Sequence, residues 1–249
     1  EIKKFEMGQL FFYRLKTEES QVQPFFDNDL IIIIDGEVYN SDQLAKELYP
    51  HNFNTRNVNL LICKLYKKYG EKFISKINGM FSLVIIDLNK KKVFASKDKL
   101  GLKPLFYYNK NNVFIIASEA KSIINLTDDT KINYQNSLAS IFMCGRPPYG
   151  MTHFNNIYDV EQSRLLTFDY KDNKIKLTKY FDLEDWINEK KYFENKRLKN
   201  NDYVEIFYNT FSEAVDRQLI GTSKFGNLFS AGLDSSFIAL LMSQKLNSK

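Results

Sequence analysis

An α+β layered domain, followed by a strand, a small-residue loop and a helix, is the architecture that this 249-residue sequence predicts. Three observations carry the prediction. Short apolar runs rich in β-branched and aromatic residues recur through the chain, each closed by a turn former. Apolar residues at helical spacing interrupt them. Near the carboxy end, a helical stripe and a short strand candidate lead into a turn of Ser, Ala and Gly.

Leu30 to Ile34 and Phe81 to Ile86 read as buried strands. Val93 to Ser96, Leu105 to Tyr108 and Val113 to Ala117 continue the pattern, with turns at Asn89-Lys90 and Asn109 to Asn112, so a meander of antiparallel strands is expected. Val58, Leu61, Ile62, Leu65 and Tyr66 fall on one helical face, and Gly70 is placed to stop that helix. A shorter helix is expected after Ser41, with Leu44 and Leu48 inward. Leu165 to Asp169 and Lys174 to Leu177 flank Asp172-Asn173 as a further hairpin. Strands that bury one face against neighbouring helices give the α+β class. The Lys-, Glu- and Asn-rich stretch from Asn188 to Asn201 reads as a linker, which sets domains at 1–187 and 202–249 around a 188–201 connection.

Composition narrows the function. With 44% hydrophobic and 26% charged residues the chain is an ordinary globular one, and a net charge of +5 over many compensating charges does not imply nucleic-acid binding. The apolar run from Leu30 to Ile34 is far below the roughly 20 residues that a membrane helix needs, so no membrane partner is expected. Cys63 and Cys144 do not make a disulfide framework, and His51 and His153 have no metal-ligand spacing; a reducing, cytoplasmic setting is expected. The Lys- and Asn-rich tracts read as solvated turns, and Tyr107-Tyr108 as core.

In the second domain, Val204, Phe207, Phe211, Val215 and Leu219 form a helical stripe. Asn227-Leu228-Phe229 is a strand candidate that enters Ser230-Ala231-Gly232-Leu233-Asp234-Ser235-Ser236, and a helix begins there. Such a loop gathers backbone N–H groups at a helix N-terminus, where a phosphate or pyrophosphate is a natural guest. The same spacing fits an ordinary βα turn capped by Ser235 or Ser236.

The string Phe229 to Ser236 resembles the pyrophosphate loop S-G-G-L-D-S-S of glutamine-dependent asparagine synthetases. Asp35-Gly36-Glu37-Val38-Tyr39-Asn40 is similar to that family's N-G-E-I-Y-N, and Ile77 to Ser82 to its L-N-G-M-F-A. Lys97 to Leu105 resembles R-D-R-L-G-I-K-P-L, and Ala117 to Lys121 resembles A-S-E-x-K. The motifs follow the family's order across nearly the whole chain. The resemblance implies a four-layer αββα glutaminase domain of the N-terminal-nucleophile class, then the first βα unit of an α/β ATP-pyrophosphatase domain. It implies ATP and Mg²⁺ as cofactors, glutamine and aspartate or another carboxylate as substrates, and a possible homodimer. In the family, ATP adenylates aspartate and ammonia from glutamine displaces AMP.

Carried over residue by residue, Arg14 would pair the glutamine α-carboxylate, a task suited to a bidentate guanidinium. Gly36 would give a backbone N–H to the tetrahedral oxyanion, and Glu37 would hold the α-amino group. Phe229, Ser230, Ala231, Gly232, Leu233, Asp234 and Ser235 would bind ATP phosphates, with Asp234 orienting the loop or approaching Mg²⁺. Three departures predict a weakened glutaminase. The family's nucleophile is an amino-terminal Cys, whereas this sequence opens on Glu1, some tens of residues inside the family's domain, and neither Cys63 nor Cys144 is terminal. Asp35 replaces an Asn of the oxyanion hole, and an ionised carboxylate cannot donate a hydrogen bond. Val58 stands where an Asp would meet the glutamine amine. Ala231 replaces a glycine, a change that is harmless if its φ stays negative. The alternatives are a relative that forms another amide by adenylation, as β-lactam synthetases and peptide cyclases do, and a non-catalytic scaffold.

Overall fold

The computed structural model describes residues 2–5, 8–11, 22–49, 57–127, 129, 131–143, 145–220 and 225–246. They fall into two compact units, Glu1–Asp182 and Leu183–Lys249. Arg14, His51, Cys144 and the 53–55 stretch lie outside the described residues.

The first unit opens with a hairpin of β1 (Ile2–Phe5) and β2 (Gly8–Phe11). Next come β3 (Phe25–Asp27), β4 (Leu30–Val38), α1 (Ser41–Leu48), α2 (Val58–Tyr69), β5 (Gly79–Asp87), β6 (Lys92–Lys97), β7 (Phe106–Lys110) and β8 (Val113–Ala117). The unit closes with α3 (Ala120–Thr127), α4 (Tyr134–Phe142), β9 (Ile157–Asp159), β10 (Arg164–Asp169) and β11 (Lys174–Lys179). A six-stranded sheet runs β11-β10-β6-β5-β4-β3, and a three-stranded sheet runs β8-β7-β9, with every pairing antiparallel.

Strand alternation builds the layers, because successive side chains leave opposite faces. Leu30, Ile32 and Ile34 of β4, Phe81, Leu83 and Ile85 of β5, and Phe94 of β6 pack on Leu44 and Ala45 of α1 and on Leu61, Ile62 and Leu65 of α2. Their alternates, Val84, Val93 and Ala95, join Leu166 and Phe168 of β10 and meet Tyr107, Phe114 and Ile116 from the small sheet. On that sheet's far side Tyr108 and Ile115 bury against Ala120, Ile123 and Ile124 of α3. Helix, sheet, sheet and helix follow one another, as the αββα expectation requires.

The expected single meander is corrected. β5 and β6 pair and β7 and β8 pair, but β6 takes β10 as its other neighbour, and the chain changes sheets across residues 98–105. The short strands β3 and β9 and the helices α3 and α4 gave no sequence signal strong enough to read. The Asn-rich tracts do occupy turns: Asn111 and Asn112 both have positive φ between β7 and β8, and Asn173 does between β10 and β11. Asn57 caps α2 by accepting from Leu60 N at 3.0 Å, and Gly70 ends it at φ +57.

The second unit holds α5 (Glu189–Asn195), α6 (Asn200–Gln218) and α7 (Leu233–Leu246), so the stretch read as a linker carries α5 and the start of α6. Val215 and Leu219 of the expected stripe are buried with Leu241, and Phe211 stacks on Phe237 at 5.2 Å. Val204 and Phe207 remain exposed. Residues 227–229 form no strand: they run as irregular chain with Leu228 95% exposed, since no described strand lies in this unit to pair with them. The expected first βα unit is therefore represented by loop and helix alone. Among the described residues no helix is long and apolar enough to cross a membrane.

Candidate functional site

Asp35, Gly36 and Glu37 lie in the second half of β4, facing Ser82, Phe81 and Met80 of β5. Gly36 has φ +119, and a Cβ there would come within 1.9 Å of the Met80 carbonyl oxygen. Only glycine fits. Gly79 is equally constrained from the other strand, where a Cβ would stand 2.2 Å from the Glu37 carbonyl oxygen. Phe81 turns both of its backbone groups toward Asp98: its N–H donates to Asp98 Oδ2 at 3.1 Å and its carbonyl accepts from Asp98 N at 2.9 Å. By the alternation of an antiparallel ladder, its partner Gly36 then points its N–H away from β5, toward the sheet edge. Two residues earlier, the Gln23 side chain closes that edge by bonding both Ile34 backbone groups, at 2.8 and 3.0 Å.

Asp98 organises the loop that switches sheets. Its carboxylate is buried and also accepts from Leu100 N at 2.9 Å and Leu102 N at 3.0 Å. Gly101 completes the turn at φ +68, its missing Cβ 3.0 Å from that of Gln162. The loop delivers Lys103, whose Nζ lies 3.2 Å from Asp35 Oδ1. Asn40 fixes the opposite flank by donating to the Lys76 carbonyl at 2.9 Å and accepting from Asn78 N at 2.9 Å. The structure thus brings Asp35, Gly36 and Glu37 to one rim, together with Lys103 and Asp98. Neither of those two was singled out from the sequence, although the K-D-x-x-G-x-K spacing was the available signal.

Val58 begins α2 and packs against the main core, so this position presents no charge to a ligand. Cys63 is fully buried and donates to Asp27 Oδ2 at 2.9 Å; burial, then the Asp27 hydrogen bond, push its thiol up to about 12. It is a core thiol. His153 meets Ser137 Oγ at 3.2 Å beside the start of α4, a structural contact.

In the second unit the loop from Phe229 to Ser235 is largely exposed at the N-terminus of α7. Ser235 Oγ accepts from Ser230 N at 3.3 Å, lies 3.0 Å from Ser230 Oγ and donates to the Gly232 carbonyl at 3.1 Å, so the two hydroxyls converge. Asn227 braces the loop from outside through the Ser235 carbonyl at 3.1 Å. Ala231 adopts φ +60, which corrects the condition set for it: the backbone needs the left-handed region that its Cβ disfavours. Two hydroxyls and the first N–H groups of a 14-residue helix suit a phosphate. Among the described residues no cluster of three or more His, Cys, Asp or Glu could hold a metal by itself.

Two stacked antiparallel sheets between helical layers, with a glycine-enforced backbone conformation at the rim, define the first unit as an αββα domain. Residues 9–181 match the family described as glutamine amidotransferase domain, and the chain belongs to that family. Residues 207–249 match the asparagine synthase family. The chain is 31% identical to "Asparagine synthetase [glutamine-hydrolyzing] 2" of Bacillus subtilis over 90% of its own length and 30% of that protein's. It is also 31% identical to "Putative asparagine synthetase [glutamine-hydrolyzing] 2" of Methanocaldococcus jannaschii, over 86% of this chain and 40% of the relative. It therefore spans well under half of either. Among solved structures, the glutamine phosphoribosylpyrophosphate amidotransferase of B. subtilis matches with TM-score 0.45 and 19% identity, over 68% of this chain and 34% of that one.

Proposed function

We propose that the chain belongs to an ATP-dependent ligase of the asparagine synthetase type, in which a front glutaminase domain supplies ammonia and a rear domain makes the amide. The observation that carries this reading is Gly36, held by its neighbours in a conformation only glycine adopts, with its N–H turned out of the ladder beside Asp35 and Glu37. A preset backbone donor of this kind is what a tetrahedral oxyanion of amide hydrolysis requires. Glu37 would hold the substrate α-amino group, and Arg14 its α-carboxylate. In the rear unit, Ser230, Gly232 and Ser235 would take the leaving pyrophosphate through hydroxyl and N–H donors. ATP with Mg²⁺ would supply the activation, turning the aspartate carboxylate into an acyl adenylate that ammonia can attack.

Glutamine hydrolysis is weakened in this reading, because Asp35 puts an acceptor and a negative charge where the family has an amide donor. The same residue favours a second reading, a relative that adenylates a different carboxylate and has little use for glutamine. Glutamate release by the full-length protein tests the weakening. Asp35→Asn is expected to raise its kcat by about tenfold or more, since one oxyanion donor accounts for roughly 100-fold or more in comparable sites. Equal rates for the two proteins would refute it.

A further inference from the structure

We infer that Lys103 is a charge-compensating positioning residue of the glutaminase site, one that lets the site tolerate a carboxylate at position 35. The inference rests on the amidotransferase reading above. Asp35 stands where the family has an asparagine, and the Lys103 ammonium lies 3.2 Å from Asp35 Oδ1, so a cationic donor sits directly beside the carboxylate that replaces the amide. An ammonium carries three N–H donors and a full positive charge. Paired with Asp35 it cancels the charge that would repel an oxyanion forming next to the Gly36 N–H.

The placement of Lys103 is built in. The buried Asp98 carboxylate binds Phe81 N on β5 and Leu100 N and Leu102 N on the loop, and Phe81 is the ladder partner of Gly36. One carboxylate thus fixes the strand that shapes the backbone donor and the turn that carries the ammonium. Lys103 is itself only 28% exposed against 54% for Asp35, so the cation is the better-held member of the pair. A pair this open to water adds little to stability. Its effect belongs to the reacting charge at the rim.

The test is a double-mutant cycle on glutamate release by the full-length protein, with Lys103→Met and Lys103→Arg made in the unaltered and the Asp35→Asn backgrounds. Lys103→Met is expected to lower kcat by about tenfold in the unaltered protein, with a smaller effect on KM, and Lys103→Arg to restore most of the loss. The cost of Lys103→Met is expected to be several-fold smaller once Asp35 is Asn, because no charge then needs cancelling. Equal costs in the two backgrounds would overturn the inference while leaving the amidotransferase reading intact. Absence of glutamine hydrolysis in every variant, with all of them folded by thermal melting, would overturn that reading and the inference with it.

Discussion

At Gly36 the backbone leaves no room for another residue. Its φ of +119 and the 1.9 Å approach of the Met80 carbonyl to a would-be Cβ make Gly36→Ala costly twice over, by conformation and by overlap. A loss of about 3 kcal/mol or more in urea unfolding is expected, and a loss below about 1 kcal/mol would show that the strand relaxes around the methyl. Cys63 makes a different prediction. Its thiol is raised from 9.0 to about 12, so the folded chain keeps a proton that the unfolded chain releases above pH 9.0. Stability should therefore fall as pH rises from about 9 toward 12, and the fall should be shallower in Cys63→Ala. Thiol reagents should not label Cys63 in the native protein at pH 8, since the group is both neutral and buried. Asp35, Gly36 and Glu37 could be picked out as one candidate motif because they are contiguous, and the structure places them together on β4. Lys103 lies inside the motif from Lys97 to Leu105, but its pairing with Asp35 could not be read, because the two are 68 positions apart and only the change of sheets brings them together.

Elements show the same division between local and distant causes. Strands β4, β5, β6 and β8 and helices α1 and α2 were readable from local periodicity, and Gly70 and the Asn-rich turns marked their ends. β9 is three residues long and α3 buries only Ile123, so neither carries enough pattern to stand out. What ties the two sheets together is also non-local. Lys97, at the end of β6, reaches Asp159 of β9 at 2.5 Å with its side chain only 6% exposed. Removing one partner leaves the other charge half-buried, so Lys97→Ala should cost about 2–3 kcal/mol, measured by chemical unfolding. An unchanged midpoint would mean that water already screens the pair. In the second unit, Ala231 at φ +60 carries a strain that glycine would not, and Ala231→Gly should stabilise α7 and its loop by about 1 kcal/mol. Hydrogen exchange at the start of α7 would read this as slower opening.

The whole molecule joins two units with different chemistry, an αββα sandwich and a helical unit whose loop gathers serine hydroxyls at a helix N-terminus. The four layers follow from alternation on β5, β6, β7 and β8, each of which feeds one core with odd positions and another with even ones. The order of strands within the two sheets, and the helical character of residues 189–195, depend on contacts that no single segment encodes. Nucleotide consumption by the full-length protein given ATP, Mg²⁺ and aspartate, with ammonium or glutamine as nitrogen source, tests the proposed ligase activity. AMP and pyrophosphate should appear together with asparagine, faster with ammonium than with glutamine, and Ser235→Ala should slow both. Failure to form AMP from aspartate with either nitrogen source would contradict it.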